Sequence, residues 1–280
     1  MTDGIFTCPV CKELLFIEGN SLKCSKRHSF DISRRGYVNL LLSGDSSNHG
    51  DDRNMVTSRR DFLNLGHYHP LADKVAGKCL NFACSGARIL DIGCGEGYYT
   101  SIIKEKLESC GKDATVLGID ISKTALDYAC RRNKDISYAV SSAFSLPLPE
   151  ESVDIAVNVF APHDTEEISR VLKDEGILIM VLPQKRHLWE LKQLIYSNPY
   201  ENESPVPSFE HFSLIEDERL TYTAKLRENK NILNLFSMTP YLYNTSQEDA
   251  EKLNGIDSID LTLDFRIAVF RKDKTKEKSI

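Results

Sequence analysis

Two features that a secreted or membrane protein needs are missing from this sequence. No run of about 18 apolar residues occurs, so no transmembrane helix is expected. The first eight residues include Asp3 and Cys8 where a signal peptide would need an apolar core, so no secretion is expected. Eight cysteines in 280 residues are too few for a disulfide scaffold, and three of them cluster with a histidine. These absences predict a cytoplasmic protein whose clustered cysteines bind metal.

Positive charge is also scarce, because 35 Lys and Arg residues stand against 41 Asp and Glu, a net charge of −6. Bulk electrostatics therefore do not favour nucleic acid. The basic residues are concentrated locally, however. Between Leu22 and Leu40 there are five Lys and Arg residues and a single acidic residue, Asp31, which gives a local charge of +4. Such a stretch can steer a polyanion to one face, or it can be a solvated loop.

The first cysteines have the spacing of a zinc site. Cys8, Cys11, Cys24 and His28 form the pattern C-x2-C-x12-C-x3-H, and the residues between the two pairs predict a hairpin. Four protein ligands leave no open coordination position, so a bound Zn2+ would be structural and would supply folding energy to a small module. We place this zinc-binding module at residues 1–42. The alternative is four residues that are unrelated in space.

The same module has features of an RNA-binding surface. Phe30 and Tyr37 lie among its basic residues, where they could contact base and phosphate or could fill a small core. We predict RNA contacts at six basic residues of the module and of the helix that follows it: Lys26, Arg27, Arg34, Arg35, Arg59 and Arg60.

Residues 43–70 are predicted to be a linker followed by a helix. The linker lacks apolar residues, and within it His49 is expected to be solvated rather than a ligand. The helix is predicted over residues 55–65, and Gly66 ends it. Tyr68 then precedes the first strand of the next domain, where it could fold over a cofactor or pack at a helix junction.

Residues 88–100, RILDIGCGEGYYT, are the most informative segment. Apolar residues flank Asp91 and predict a buried strand, after which Gly93, Gly95 and Gly97 alternate before a helical pattern. A glycine turn between strand and helix lets a ligand approach bare backbone. The spacing D-x-G-x-G-x-G differs from the G-x-G-x-x-G of dinucleotide folds. It resembles the first motif of class I S-adenosylmethionine-dependent methyltransferases.

Strands and helices alternate through residues 87–182, which predicts a parallel, doubly wound sheet with ligands at the carboxyl ends of its strands. Asp120 ends the second strand, where a carboxylate can accept ribose hydroxyls. Ser142 and Ala143 follow the third strand, in the loop that borders the adenine in such folds. Together these residues predict a nucleoside cofactor. The alternative is that the glycines only allow the chain to turn and bind no ligand. We place this domain at residues 71–275.

The end of the fourth strand bears on the acceptor of the reaction. It reads NVFAP over residues 158–162 and lacks the Asp/Asn-Pro-Pro-Tyr/Phe motif of methyltransferases that act on amino groups of bases. A nucleophilic cysteine pair of the kind used for pyrimidine C5 methylation is not evident either. His163 and Asp164 follow this strand and are the candidate general bases.

As a whole, the sequence resembles the RlmA family of 23S rRNA (guanine-N1)-methyltransferases, from the zinc module to about residue 270. The resemblance is carried by the zinc ligands with Phe30-Asp31, by GYVNLL over residues 36–41, by Arg59-Arg60 with Gly66-His67-Tyr68, by the glycine motif through Tyr99, and by Ala161-Pro162, Arg186-His187-Leu188 and Met238-Thr239-Pro240.

The resemblance implies a Rossmann-like class I methyltransferase domain with a mostly parallel, seven-stranded sheet beside the small zinc-binding domain. It implies S-adenosylmethionine as the cofactor, 23S rRNA as the partner and N1 of a guanine in one rRNA hairpin as the acceptor. Family members commonly have Arg where this chain has Asn158. The family also suggests a homodimer, two subtypes that act on neighbouring guanines, and for one subtype a link to tylosin-type macrolide resistance.

The same resemblance maps Tyr68, Glu96, Gly97 and His187 onto cofactor-contacting positions. The predicted cofactor site therefore comprises Tyr68, Asp91, Gly93, Gly95, Glu96, Gly97, Asp120, Ser142, Ala143 and His187. Two other functions fit part of the pattern. The zinc module and the basic stretch argue against a small-molecule methyltransferase. The intact glycines and Asp120 argue against a non-catalytic RNA-binding protein on a methyltransferase fold.

Overall fold

A computed structural model describes residues 1–42 and 50–274 of the chain. The first half contains β1 (Phe16–Glu18), β2 (Ser21–Lys23), β3 (Ser29–Asp31), β4 (Tyr37–Asn39), α1 (Arg53–Leu63), α2 (His69–Phe82), β5 (Ala87–Ile92), α3 (Tyr98–Ser109), β6 (Ala114–Asp120), α4 (Lys123–Arg132) and β7 (Ser137–Val140). The second half contains β8 (Val153–Val159), α5 (Thr165–Val171), β9 (Leu172–Pro183), α6 (Trp189–Ile195), β10 (Phe212–Leu226), α7 (Asn229–Ser237), α8 (Tyr241–Asn244), α9 (Gln247–Glu251), a 3-10 turn (Lys252–Gly255) and β11 (Ile259–Lys272).

The main sheet has the strand order β10-β11-β9-β8-β5-β6-β7-β4. The six neighbouring strands from β4 to β9 are parallel, and β11 is antiparallel to both of its neighbours. Buried residues cover both faces of the sheet, which is why its central strands are almost continuously apolar. The predicted Rossmann-like, mostly parallel sheet is confirmed, but it has eight strands rather than seven.

The additional strand is β4, which lies inside the range predicted for the zinc module. Its residues pair in parallel with β7, with Val38 opposite Ala139 and Asn39 opposite Val140. Val38 is fully buried, and Leu40 N donates to Val140 O at 2.9 Å. A three-residue strand has too short a pattern to reveal a partner that lies 100 residues further along the chain. For that reason the sequence did not predict this pairing.

The N-terminal module packs against the sheet as well as joining its edge. Strands β1, β2 and β3 form a small antiparallel sheet of their own. Phe6, Leu15 and Leu22 are buried in the same cluster as Leu90 and Leu117 of the central strands. Burying each such side chain contributes about 1.5–3 kcal/mol, so the module and the main sheet stabilise one another.

Two helices lead into the main sheet near the predicted positions. Asp52 caps α1 by accepting a hydrogen bond from Met55 N at 2.9 Å, and Gly66, with φ of +80°, lies in the turn before α2. The expectation for His49 lies outside the described residues. Within residues 1–42 and 50–274, no helix is both long enough and apolar enough to cross a membrane.

Candidate functional site

The four predicted metal ligands come together around the small antiparallel sheet. Their ligand atoms all lie within 4.8 Å of one another. Cys11 Sγ is 3.6 Å from Cys24 Sγ, and His28 Nδ1 is 3.3 Å from Cys24 Sγ and 3.5 Å from Cys8 Sγ. A tetrahedral zinc ion with bonds of about 2.0–2.3 Å needs ligand atoms separated by about 3.5–3.8 Å. The three separations in the cluster are close to these values, so the cluster suits a single zinc ion.

Local backbone geometry fixes the two ligand pairs. Lys12 and Arg27 have φ of +63° and +66°, and their N–H groups donate to Cys8 O and Cys24 O at 2.8 and 2.9 Å. These turns bring each second ligand back beside the first. Burial raises the pKa of the Cys24 thiol, but hydrogen bonds, the strongest from the His28 backbone, outweigh burial and lower that pKa to about 7. The thiolate, which is the zinc-binding form, is thus favoured.

The glycine turn between β5 and α3 requires glycine at two positions. Gly93 and Gly97 have φ of +71° and +81°, which residues with a side chain rarely adopt. A Cβ on Gly93 would overlap Ala161 Cβ, and one on Gly97 would lie 2.9 Å from both Cα and Cβ of Ala129. The loop after β8 and helix α4 therefore approach the turn so closely that only bare backbone fits.

Asp120 is bonded to this turn. One carboxylate oxygen accepts from Gly95 N at 2.9 Å and the other from Ser122 N at 2.8 Å. Burial raises the pKa of Asp120, although both hydrogen bonds oppose that shift. Ser141 N donates to Asp120 O at 3.1 Å, so the loop containing Ser142 and Ala143 borders the same edge of the sheet. The glycine turn, Asp120 and this loop thus lie side by side at the carboxyl edge of the main sheet.

Two further carboxylates of the motif are buried beside the turn. Asp91 accepts a hydrogen bond from Thr100 Oγ1 at 2.5 Å, and burial raises the pKa of Asp91 to about 7. Asp91 therefore anchors the first turn of α3 through this hydrogen bond to Thr100. Glu96 is 2% exposed and forms an ion pair with Arg132 through Oε2, whereas its Oε1 has no hydrogen-bond partner among the described residues. That buried oxygen is therefore an unused hydrogen-bond acceptor beside the turn.

Tyr68 and His187 meet in a buried aromatic cluster. Tyr68 Oη is 3.5 Å from His187 Nε2, and both rings contact Phe265. His187 Nδ1 accepts from Asp264 N at 3.3 Å, so the ring proton belongs on Nε2. Burial lowers the pKa of His187 to about 3, which keeps the imidazole neutral.

Phe160, immediately after β8, is a candidate that the sequence did not single out. Its φ is +58°, its side chain is 42% exposed, and its ring lies nearly parallel to that of His187 with the centroids 6.3 Å apart. Holding a non-glycine residue in this backbone conformation costs about 1–3 kcal/mol of folding free energy. Such residues cluster at functional sites. The signal that could have found it is an aromatic residue at the carboxyl end of a central strand.

Known protein families match both the N-terminal cysteine and histidine module and the domain that contains the glycine turn. The family model described as "RlmA, N-terminal" matches residues 6–42, and the model described as "Methyltransferase domain" matches residues 90–180. The 23S rRNA (guanine(748)-N(1))-methyltransferase of Streptomyces fradiae is 32% identical over 93% of this chain and 95% of its own. A putative 23S rRNA (guanine-N(1)-)-methyltransferase of Bacillus subtilis is 32% identical over 96% of this chain and 98% of its own.

The chain belongs to the RlmA family. It has a methyltransferase domain of the S-adenosylmethionine-dependent class and an N-terminal zinc ribbon. The residues present fit both groups that the family uses. The cysteine and histidine cluster has zinc-ligand spacing. Beside the glycine turn, the open backbone at Gly95 and the Glu96 oxygen, which has no hydrogen-bond partner among the described residues, suit a polar ligand.

The two candidate general bases lie after β8, and neither is hydrogen-bonded to the glycine turn within the described residues. His163 Nδ1 is 3.3 Å from Ala161 O, and its ring contacts Phe209. Asp164 caps α5 by accepting from Glu166 N at 2.9 Å. Asn158 is 1% exposed, and its Nδ2 has no hydrogen-bond partner in the part of the chain that the structure describes; in the sheet it pairs with Ile92 and Met180.

The six predicted RNA-contacting residues occupy two regions. Lys26, Arg27, Arg34 and Arg35 are exposed on the zinc ribbon, where Lys26 is 3.7 Å from Glu13. Arg59 and Arg60 lie on α1 and are paired with Asp51 and Asp61. The helical pair is thus half-buried, whereas the four basic residues of the ribbon are exposed.

Proposed function

We propose that this protein transfers the methyl group of S-adenosylmethionine to N1 of a guanine in 23S rRNA. The observation that carries the proposal is the full-length match to relatives named for this activity, with the zinc ribbon and the glycine turn both intact. The zinc ribbon favours this proposal over a small-molecule methyltransferase, since such acceptors need no RNA-recognition module.

The cofactor would be held at the carboxyl edge of the main sheet. Asp120 would accept the ribose hydroxyls, and the loop at Ser142 and Ala143 would border the adenine. Gly95, where only Arg59 among the described residues lies within 4 Å of a hypothetical Cβ, would let the ligand approach the backbone, and Glu96 Oε1 would accept one of its polar groups. Asp91 would act indirectly, by holding the turn through Thr100. When bound, S-adenosylmethionine supplies a methyl group on a positively charged sulfur.

The chain's own contribution to the reaction is orientation of the acceptor base. Phe160 presents an exposed ring beside the buried His187 and Phe265, and a planar guanine could stack on it. Tyr68 and His187 would line one side of the site and exclude water from it. Holding N1 in line with the methyl group is worth several orders of magnitude in rate.

Guanine N1 must also lose its proton in the reaction. Of the two candidate bases, His163 is the better placed, because its nitrogen contacts the backbone of Ala161 directly after Phe160. Asp164 has a structural task as the cap of α5. The neutral His187 already uses Nδ1 as an acceptor, so it would position rather than deprotonate the base.

The zinc ribbon would bind the RNA. Four exposed basic residues on an acidic chain form a local positive surface, and each would contact phosphate: Lys26, Arg27, Arg34 and Arg35. Because β4 is part of the main sheet, the ribbon would hold the RNA in a fixed position relative to the cofactor edge.

The experiment is methyl transfer to unmethylated 23S rRNA from labelled S-adenosylmethionine, followed by primer extension, which stops at N1-methylguanine. A stop at one guanine would support the proposal and identify the subtype. Cofactor binding without label in the RNA would overturn it and favour a small-molecule acceptor. A protein that binds rRNA but not the cofactor would instead be the non-catalytic alternative.

Three finer expectations belong to the same proposal. A homodimer is supported by β10, a 15-residue strand at the sheet edge with exposed Leu214 and Ile215, and sedimentation velocity tests it. A cytoplasmic location is supported by the thiol ligands and by the rRNA substrate of the relatives. Macrolide resistance is supported by the family resemblance, and growth on tylosin with and without expression of the protein tests it.

A further inference from the structure

The site described above lacks a partner for one group of the cofactor. The methionine part of S-adenosylmethionine carries a carboxylate, whereas the residues that line the glycine turn are acidic. Asp120 and Glu96 suit hydroxyl or ammonium groups, and both repel a carboxylate. A charge-assisted hydrogen bond from an arginine would provide what is missing.

Arg59 of α1 lies against the glycine turn. A Cβ on Gly95 would be 3.9 Å from Arg59 Nη1, and the guanidinium opposes the rise in the pKa of the neighbouring Asp120. Arg59 Nη2 donates to Met238 O at 3.3 Å, which anchors the side chain from the opposite side. Among the described residues, Arg59 also forms an ion pair with the carboxylate of Asp51.

Two nearby arginines are engaged elsewhere. Arg132 is paired with Glu96 and donates to Asn64 Oδ1 at 2.8 Å. Arg60 is paired with Asp61, and its guanidinium lies 4.7 Å from the centre of the Tyr128 ring. Arg59 therefore differs from both, because it faces the turn and its acidic partner is a partly exposed carboxylate that a ligand can replace.

We propose that Arg59 binds the carboxylate of the methionine part of the cofactor, in exchange for its ion pair with Asp51. The inference rests on the proposed function in so far as S-adenosylmethionine is the cofactor. It assigns Arg59 to the cofactor site rather than to the RNA surface. Asp51, just before α1, is then the residue that the cofactor carboxylate replaces.

The test compares two adenosine ligands by calorimetry in the absence of RNA. S-adenosylhomocysteine has the carboxylate, whereas 5′-methylthioadenosine has the same adenosine and thioether but lacks the amino-acid group, both its carboxylate and its ammonium. We expect Arg59→Gln to weaken binding of S-adenosylhomocysteine about 10- to 100-fold. Binding of 5′-methylthioadenosine should be unchanged. Arg60→Gln is the matched control and should alter neither affinity.

Two outcomes would overturn the assignment. Equal weakening of both ligands by Arg59→Gln would show that Arg59 only supports the shape of the site. Unchanged binding of both ligands would show that it makes no contact. Asp51→Asn provides a second test that does not remove the arginine. Because it removes the competing carboxylate, S-adenosylhomocysteine should bind a few-fold more tightly, and weaker binding would contradict the exchange.

The result is separable from that of the rRNA assay. Wild-type protein that binds S-adenosylhomocysteine but leaves 23S rRNA unmodified would contradict the proposed acceptor and leave the Arg59 test valid. Wild-type protein that methylates rRNA, with no ligand-selective effect of Arg59→Gln, would contradict the Arg59 inference alone.

Discussion

At the scale of single residues, the clearest test concerns Phe160. Its ring is exposed, and its backbone is held in a conformation that a non-glycine residue rarely adopts. If it stacks on the target guanine, Phe160→Ala should reduce kcat/KM for rRNA about 10- to 100-fold, because stacking of one base on an aromatic side chain contributes about 1–3 kcal/mol.

The control for Phe160 is built into the same series of variants. Phe160→Tyr keeps the ring and should retain most of the activity. The affinity for S-adenosylhomocysteine, measured by calorimetry, should be the same in both variants. Loss of cofactor affinity in Phe160→Ala would contradict a role in acceptor binding.

His187 gives a prediction about pH. Because its pKa in the folded protein is lowered to about 3, against 6.5 in the unfolded chain, His187 binds a proton more weakly when folded. The stability that it contributes is full above pH 6.5 and falls as the pH decreases toward 3. Nitrogen-15 NMR of the imidazole should show one neutral tautomer, protonated at Nε2, from pH 6 to 8. A titration with a midpoint inside that range would contradict the buried environment.

At the scale of elements, the start of α3 depends on glycine. Gly97 has φ of +81° and Ala129 within 2.9 Å of a hypothetical Cβ, so Gly97→Ala should destabilise the protein by several kcal/mol. Gly77 is the matched control. It lies inside α2 with nothing within 4 Å, and Gly77→Ala should stabilise the protein by about 0.5–1 kcal/mol. Urea denaturation measures both, and equal effects would contradict the account of the turn.

The sequence predicted well those elements that are formed by residues close together along the chain. The zinc ligands are paired within three or four residues, and the glycine turn is contiguous with its strand and helix. Strand β4 and the position of Arg59 depend on residues that are distant in sequence, β7 in one case and Gly95 in the other. Phe160 was missed because its significance depends on a backbone angle and on the neighbouring His187 ring.

At the scale of the whole molecule, the zinc ribbon and the methyltransferase sheet should unfold together. They share a buried cluster and a hydrogen-bonded strand pair. Cys24→Ser, which removes one zinc ligand, should therefore lower the melting temperature of the complete chain and weaken binding of S-adenosylhomocysteine. Cys110→Ser, at an exposed cysteine outside the cluster, should change neither. A separate early transition confined to the ribbon, with cofactor binding intact, would contradict this coupling.

The central claim is that the acceptor is guanine N1 in 23S rRNA. The most direct measurement is made on 23S rRNA from cells that lack their own enzyme of this family, with and without expression of this protein. Nuclease digestion and mass spectrometry of the nucleosides then quantify methylation. The account predicts up to one N1-methylguanosine per 23S rRNA molecule on expression and none without it. The absence of N1-methylguanosine from the rRNA of cells that contain the folded protein would contradict the account.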